Sequence, residues 1–131
     1  MSAFLFDTHA LIWWWNDNLL LPKAVRRGLI DPDNAIFVSA ASAWEVATKV
    51  RLGKWQEAEE AAEQFEALCE RNGFELLPVS VTHGLLAGSL PGEHRDPFDR
   101  MIAAQAIQDD LVVITRDPAL ASLGCATFWA D

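Results

Sequence analysis

The segment Phe4-Leu5-Phe6-Asp7-Thr8-His9 is the part of this sequence that most directly indicates the fold. Its three apolar residues form a short, uncharged run that ends at a carboxylate, which is typical of a β-strand buried on both faces. Asp7 and Thr8 then stand where a helix can begin, because both side chains favour the N-cap position. A strand followed at once by a helix predicts a β-α unit, the repeating element of α/β folds.

The same alternation of apolar runs and helical segments continues along the chain. Further strands are predicted at residues 36–38, 74–77 and 111–115, with an edge strand at 126–128. Helices are predicted at residues 8–16, 22–31, 40–52, 56–71 and 81–87, from residue 97 onward and in a short turn after residue 117. Short apolar strands between helices predict an α/β fold, in which one domain over residues 1–131 has a central parallel sheet with helices on both faces.

Size and composition fit a single folded domain. The chain has 131 residues, of which 51% are hydrophobic and 22% charged, so a sizeable core is expected and disorder is excluded. No uncharged apolar run approaches the roughly 18 residues that a membrane span needs, and the first residues lack the basic region of a secretory signal. Cys69 and Cys125 are too few for a disulfide framework and are predicted to be small core residues. We expect a soluble, reduced, cytoplasmic protein.

The charge balance opposes non-specific binding of polyanions. Ten Lys and Arg residues stand against 19 Asp and Glu residues, for a net charge of −9. Six of the acids lie between Glu57 and Glu70 without an intervening base, as expected for the solvent-facing side of one helix. Because this excess of acidic residues lies in one segment, it does not exclude a nucleic-acid enzyme whose other carboxylates bind a cation.

Four other carboxylates stand where a parallel sheet gathers functional groups. Asp7 ends the first strand, Asp117 follows the last long strand, and Glu45 and Asp99 come early in helices that follow loops. Glu45 is the one charged residue between residues 36 and 48. Grouped carboxylates repel one another unless a cation or shared protons neutralise them, and oxygen donors without His or Cys clusters favour Mg²⁺ or Mn²⁺. The pattern indicates metal-assisted cleavage of phosphodiesters.

Four motifs of this sequence, in this order, resemble those of PIN-domain proteins, and most closely the VapC-type toxins of bacterial toxin–antitoxin systems. They are Phe6-Asp7-Thr8-His9-Ala10-Leu11, Ser39-Ala40-Ala41-Ser42-Ala43-Trp44-Glu45, His94-Arg95-Asp96-Pro97-Phe98-Asp99-Arg100 and Thr115-Arg116-Asp117. The resemblance extends from Leu5 to about Trp129. It implies a Mg²⁺-dependent endoribonuclease, with Mn²⁺ as a substitute, that acts on RNA and forms a homodimer. A cognate VapB-like antitoxin would inhibit it.

The resemblance also assigns roles to individual residues. It implies that the catalytic, metal-binding acids are Asp7, Glu45, Asp99 and Asp117. Three polar residues match positions that line the acidic pocket, namely Thr8, Ser39 and Thr115. Three arginines close to the acids are candidates for contacts with RNA phosphates, namely Arg95, Arg100 and Arg116.

Local structure offers a simpler role for several of these acids. Asp7 and Asp117 could cap the helices that follow them, and Asp96, directly before a proline, is predicted to be a cap that supports the acidic group. Glu45 lies inside a helix and gains nothing from capping. Its simpler role is an ion pair with Lys49 one turn later, which is worth about 0.2–0.5 kcal/mol on a helix surface.

Other classes of function fit the motifs less well. A PIN-type nuclease that processes RNA or DNA outside a toxin–antitoxin system would use the same metal site and is the alternative. A phosphotransfer protein would need Asp-x-Asp after the first strand or a lysine at the end of a later one, whereas this chain has Asp7-Thr8-His9 and Arg116. A non-catalytic interaction module would give no reason for four convergent acids.

The run Trp13-Trp14-Trp15 predicts a surface for a partner. Three adjacent helical positions spread over about 200°, wider than one buried stripe, so we expect at least one indole to stay exposed. Such an indole would form part of a groove for an antitoxin helix, or of a homodimer contact. Among the histidines, His83 is predicted to lie on the surface, and His9 and His94 are candidates for weak substrate contacts.

Overall fold

The computed structural model describes residues 1–130, and its elements follow the predicted order of strands and helices. The strands are β1 (Ala3–Phe6), β2 (Ala35–Ser39), β3 (Glu75–Leu77), β4 (Val112–Ile114) and β5 (Thr127–Phe128). The helices are α1 (Thr8–Trp15), α2 (Lys23–Ile30), α3 (Ala40–Arg51), α4 (Glu59–Asn72), α5 (Val81–Ser89), α6 (Pro97–Asp109) and α7 (Pro118–Ser122). A 3₁₀ turn at Gln56–Ala58 leads into α4, so the predicted helix over residues 56–71 has two parts.

All five strands form one parallel sheet in the order β3-β2-β1-β4-β5. The central strand β1 pairs with β2 on one side and with β4 on the other. The chain moves outward to β2 and β3 first and returns to build β4 and β5 later. The strand order therefore reverses beside β1, and such a switch point opens a crevice at the carboxyl ends of the strands.

Alternate residues of the strands point into separate cores on the two faces of the sheet. Phe4 and Phe6 of β1 pack with α1, α2, α3 and α4, while Leu5 packs with α5, α6 and α7. In β4, Ile114 joins the first core and Val113 the second. Because both faces are covered there, the central strands β1 and β4 consist of apolar residues alone. The predicted α/β class with helices on both faces is confirmed.

Helix ends follow the local rules that the sequence indicated. The side chains of Asp7, Asp96 and Asp117 each accept hydrogen bonds from backbone N–H groups at the starts of α1, α6 and α7. Pro97 and Pro118 occupy the first turns of their helices. At the end of α4, Gly73 has φ +71°, a left-handed conformation that glycine adopts without strain.

The prediction that His83 lies on the surface is wrong. Its side chain is buried, with Nδ1 accepting the backbone N–H of Ser80 at 3.0 Å and Nε2 3.1 Å from Oδ2 of Asp109. Because Nδ1 accepts, the neutral ring carries its proton on Nε2 and donates it to Asp109. His83 thus caps α5 and fastens it to the end of α6, a contact that spans 26 residues of sequence.

The prediction of an exposed indole among Trp13, Trp14 and Trp15 is also wrong. All three side chains are half-buried, because residues from distant segments cover them. The Trp15 ring packs edge-on against Phe65, and its Nε1 donates to Oδ1 of Asn72 at 2.7 Å. The exposed tryptophan is instead Trp44, on α3, which is 63% exposed.

Two further expectations concern the core and the membrane. Cys69 and Cys125 are buried free thiols in the two cores, as predicted, and burial raises the pKa of Cys69 to about 11. Over residues 1–130, no helix has both the length and the apolar character that crossing a membrane requires.

Candidate active site

Asp7 lies at the centre of the site because it directly follows the central strand. Its backbone N–H donates to the carbonyl of Ile114 at 3.0 Å, which continues the β1–β4 pairing by one residue. The carboxylate is only 7% exposed. One oxygen, Oδ1, accepts the N–H of His9 at 2.9 Å, and the other, Oδ2, accepts the hydroxyl of Thr115 at 2.5 Å. Asp7 therefore caps α1, as predicted, and Thr115 fixes its carboxylate at the sheet edge. Its role as a metal-binding acid stays a prediction.

Glu45 is the most deeply buried acid of the site, at 1% exposure in the middle of α3. Its Oε2 accepts Nζ of Lys49 at 2.5 Å. Its Oε1 is the one buried side-chain nitrogen or oxygen within residues 1–130 that has no hydrogen-bond partner. An unpartnered buried carboxylate oxygen is costly. A helix-surface ion pair does not explain this arrangement.

Asp99 lies in the first turn of α6, where its Oδ2 is 2.9 Å from Nε2 of His94. Burial raises the pKa of Asp99 to about 6, and the bond to His94 only partly offsets this. The nearby charges of Asp96, Asp7 and Glu45 raise the pKa further. Asp96 is the N-cap of the same helix, whereas Asp7 and Glu45 come from other elements, so part of the rise in the pKa of Asp99 is caused by charges outside α6.

Asp117 joins Asp7 across a shared cleft. Thr115 links the two residues, since its hydroxyl donates to Asp7 while accepting the backbone N–H of Asp117 at 3.0 Å. The Asp117 side chain caps α7 and belongs to an exposed residue. The cleft has a volume of about 360 Å³ and is lined by Asp7, His9, Trp13, Arg116, Asp117 and Pro118.

The donor set fits a hard divalent cation in its chemistry. The four predicted acids and Thr115 offer carboxylate and hydroxyl oxygens, which Mg²⁺ and Mn²⁺ prefer as ligands. The free oxygen of Glu45 and the raised pKa of Asp99 both indicate negative charge that nothing fully compensates. As the side chains stand, no three His, Cys, Asp or Glu residues within residues 1–130 form a group that could hold a metal ion.

Two buried hydroxyl contacts fix the backbone around the pocket. The hydroxyls of Thr8 and Ser42 lie 2.8 Å apart and join α1 to α3. Ser39 donates to Oε1 of Gln105 at 2.5 Å and accepts the N–H of Ala41, which joins β2 to α6 and caps α3. Of the three predicted pocket residues, only Thr115 touches an acid directly. Ser42 and Gln105 were missed, because an uncharged polar residue inside a helix gives no signal until its distant partner is known.

The four polar residues predicted to surround the acids differ in what holds them. Arg100 donates its guanidinium hydrogens to the carbonyls of Ala87, His94 and Leu90, so it fastens the segment before α6. The Arg116 guanidinium lies 4.6 Å from the centre of the Trp13 ring, and Arg95 is exposed. Asp96 accepts the N–H groups of Phe98 and Asp99 through Oδ1, as the predicted cap.

The Trp55 ring lies beside two basic side chains that contact acids of the site. The ring of His9 lies 4.7 Å from it, centre to centre, and Nζ of Lys49 lies 5.5 Å from its centre. The neighbouring Asp7 carboxylate raises the pKa of His9, and Glu45 contributes, while burial and Lys49 oppose the rise. Two basic side chains, His9 and Lys49, therefore lie beside the acids Asp7 and Glu45. Trp55 was not among the residues predicted for the site.

Comparisons with known proteins agree with this geometry. The PIN domain model matches residues 4–124. The chain is 30% identical to Ribonuclease VapC22 of Mycobacterium tuberculosis over 124 residues, which are 93% of this chain and 92% of that protein. Among solved structures, VapBC2 from Rickettsia felis bound to a promoter DNA fragment superposes with a TM-score of 0.72 at 16% identity, covering 98% of this chain and 100% of that one. DNA-bound VapBC from Salmonella typhimurium gives 0.68 at 22% identity, with 98% of each chain covered. This chain therefore belongs to the PIN-domain family, and its resemblance to the VapC-type members is confirmed.

Proposed function

We propose that this chain is a Mg²⁺-dependent endoribonuclease of the VapC type that hydrolyses RNA phosphodiester bonds at its acidic pocket. Membership of the PIN family and the identity to a VapC ribonuclease support the class of reaction. The four acids that the sequence singled out supply the metal-binding side chains, namely Asp7, Glu45, Asp99 and Asp117. Mn²⁺ has the same ligand preference and is expected to substitute.

The observation that carries the proposal is the free Oε1 of Glu45. This oxygen is buried and has no hydrogen-bond partner, and the charges of Glu45 and Asp7 both contribute to the raised pKa of Asp99. Natural proteins rarely leave such a group without compensation. A divalent cation would provide it and would also relieve the repulsion that acts on Asp99.

The chain's own residues then have distinct tasks. Thr115 orients Asp7 through Oδ2, and His94 orients Asp99 through the contact with its Oδ2. Arg116, held over the Trp13 ring at the edge of the cleft, offers positive charge to an RNA phosphate. Arg95, exposed two residues before α6 begins, offers a second such charge. When bound, a divalent cation would polarise an oxygen of the RNA phosphate and lower the pKa of a bound water.

A cleavage assay tests the proposal and separates it from the alternative of a DNA-processing enzyme. Single-stranded RNA, single-stranded DNA and duplex DNA of one sequence are each incubated with the protein in Mg²⁺, and again in EDTA. We expect cleavage within the RNA only, and only with the cation present. Cleavage of DNA at a comparable rate would favour the alternative, and cleavage of RNA in EDTA would contradict the metal site.

We further propose that a cognate VapB-like antitoxin binds beside the tryptophan helix α1. The solved relatives named above are VapBC complexes. In this chain a cleft of about 390 Å³ borders α1, with Trp14, Trp15 and Leu68 among its lining residues. Glutamate substitutions at Trp14 and Trp15, made singly, are expected to weaken antitoxin binding in at least one folded variant. Unchanged affinity in every folded variant would place the groove elsewhere.

A homodimer is the second proposed assembly. An apolar groove of about 360 Å³ lies between α3, α5 and α6, where the exposed Trp44 packs edge-on against Phe98. Val81 and Leu85 on α5 are also exposed, at 80% and 72%. Contiguous apolar surface of this kind is typical of a protein–protein contact.

A further inference from the structure

The ion pair between Glu45 and Lys49 differs from an ordinary pair on a helix surface. The Glu45 side chain is 2% exposed and that of Lys49 30%, so the carboxylate has little access to water. Of the two carboxylate oxygens, Lys49 holds only Oε2, at 2.5 Å, and leaves Oε1 without a partner. Lys49 is therefore the direct countercharge of an otherwise isolated buried anion.

Lys49 is also held in place from its other side. Its ammonium lies 5.5 Å from the centre of the Trp55 ring, within the range of a cation–π contact. His9 lies against the same ring, so Trp55 contacts two basic side chains, each of which lies beside an acid of the site. The ammonium thus stands between an aromatic wall and the one acid that retains a free oxygen.

We propose that Lys49 is a built-in counter-cation of the acidic pocket, which holds Glu45 while no metal is bound and weakens the pocket's affinity for a divalent cation. This inference rests on the proposed metal-dependent function. An incoming Mg²⁺ needs the carboxylate that Lys49 occupies, and the ammonium repels it electrostatically. Lys49 therefore has two effects of opposite sign, since it stabilises the metal-free protein and opposes metal binding.

The test compares Lys49→Met with wild type in thermal unfolding and in calorimetric titration with MgCl₂. Methionine preserves most of the side-chain length and removes the charge. Without metal, Lys49→Met should unfold about 5 °C or more below wild type, because Glu45 is left buried and uncompensated. With millimolar Mg²⁺ the difference should shrink or reverse, and the Mg²⁺ dissociation constant should fall by about tenfold, as expected for removing a neighbouring positive charge.

Two matched variants test whether the effects of Lys49→Met come from the uncompensated charge of Glu45. Lys54→Met removes a positive charge from an exposed residue five positions along the chain and should leave both readouts at the wild-type level. The double variant Glu45→Gln/Lys49→Met should recover most of the metal-free stability, because no buried anion remains. If Lys49→Met does not fold without metal, folding should return with Mg²⁺ or in the double variant, and failure of both would overturn the proposal.

The pattern of responses to Mg²⁺ distinguishes this inference from the proposed function. Tighter binding in Lys49→Met than in wild type supports the counter-cation role. Equal affinity in the two proteins, or weaker binding in the variant, would overturn that role while the metal site stands. No response to Mg²⁺ in either protein would overturn the metal site and, with it, the role of Lys49.

Discussion

Replacing Asp99 by asparagine should make the metal-free protein more stable at neutral pH and remove most of its response to Mg²⁺. Asp99 is 16% exposed at its side chain, lies near three other acids, and has a pKa raised to about 6, chiefly by burial. Asparagine preserves the shape and still offers an oxygen to His94. It removes the negative charge that the folded state disfavours.

The size and pH range of the effect follow from the pKa shift. A rise from 3.8 to about 6 corresponds to about 3 kcal/mol at about 1.36 kcal/mol per pH unit. The value of about 6 already includes the bond to His94, and solvent contact reduces what is measured, so we expect a gain of about 1–3 kcal/mol. Because the folded-state pKa is raised, the wild type is penalised only when Asp99 ionises. The variant should match wild type below pH 3.8, gain between pH 3.8 and about 6, and keep the full gain above that.

Urea unfolding from pH 3.5 to 8, with and without 5 mM Mg²⁺, measures both the gain in stability of Asp99→Asn and the loss of its response to the cation. The control is Asp33→Asn, at an exposed carboxylate outside the pocket, which should change neither curve. Wild type should gain stability from Mg²⁺ and Asp99→Asn should not. If the variant is less stable than wild type at pH 8, or if both respond alike to Mg²⁺, then Asp99 does not lie in a repulsive, cation-binding pocket.

Three other predictions concern residues around the site. Arg100→Met should lower the free energy of unfolding by about 2–3 kcal/mol, because three backbone carbonyls lose their donor, whereas Arg95→Met should change it by less than about 0.5 kcal/mol. If Arg95→Met lowered the free energy of unfolding as much as Arg100→Met, the anchoring role of Arg100 would be contradicted. His83→Ala should lower the free energy of unfolding by about 1–3 kcal/mol, because the contacts to Ser80 and Asp109 are lost. An unchanged free energy of unfolding would refute its role in joining α5 to α6. If the proposed dimer forms through the groove between α3, α5 and α6, Trp44→Glu should convert it to a monomer in light scattering, and a variant with the mass of a wild-type dimer would exclude that groove as the interface.

The fold was predictable because its signals are local. The run Phe4-Leu5-Phe6 needs cover on both faces, and that requirement alone indicates a parallel sheet between helices. The caps at Asp7, Asp96 and Asp117 follow from residue types within three positions of each helix start. Asp7 and Asp117 lie beside one cleft because β1 and β4 are parallel neighbours whose carboxyl ends share an edge of the sheet.

Side-chain environments that depend on distant segments were not predictable. His83 is buried because Asp109 lies beside it, and Trp15 is covered because Phe65 and Asn72 reach it from α4. Lys49 looked like a helix-surface partner of Glu45, since sequence spacing cannot show that Glu45 has lost its water. Tertiary packing decides whether these side chains are buried, and the periodicity of a single helix cannot show that packing.

The cleavage of RNA by Glu45→Gln tests the central claim most directly. Glu45 caps no helix and lies away from the exposed surface, so its one proposed task is to bind the cation that the reaction needs. The variant should fold, as judged by its unfolding curve, and should show no RNA cleavage above background in Mg²⁺ at a protein concentration that lets wild type complete the reaction. Cleavage at the wild-type rate by the folded variant would contradict the account.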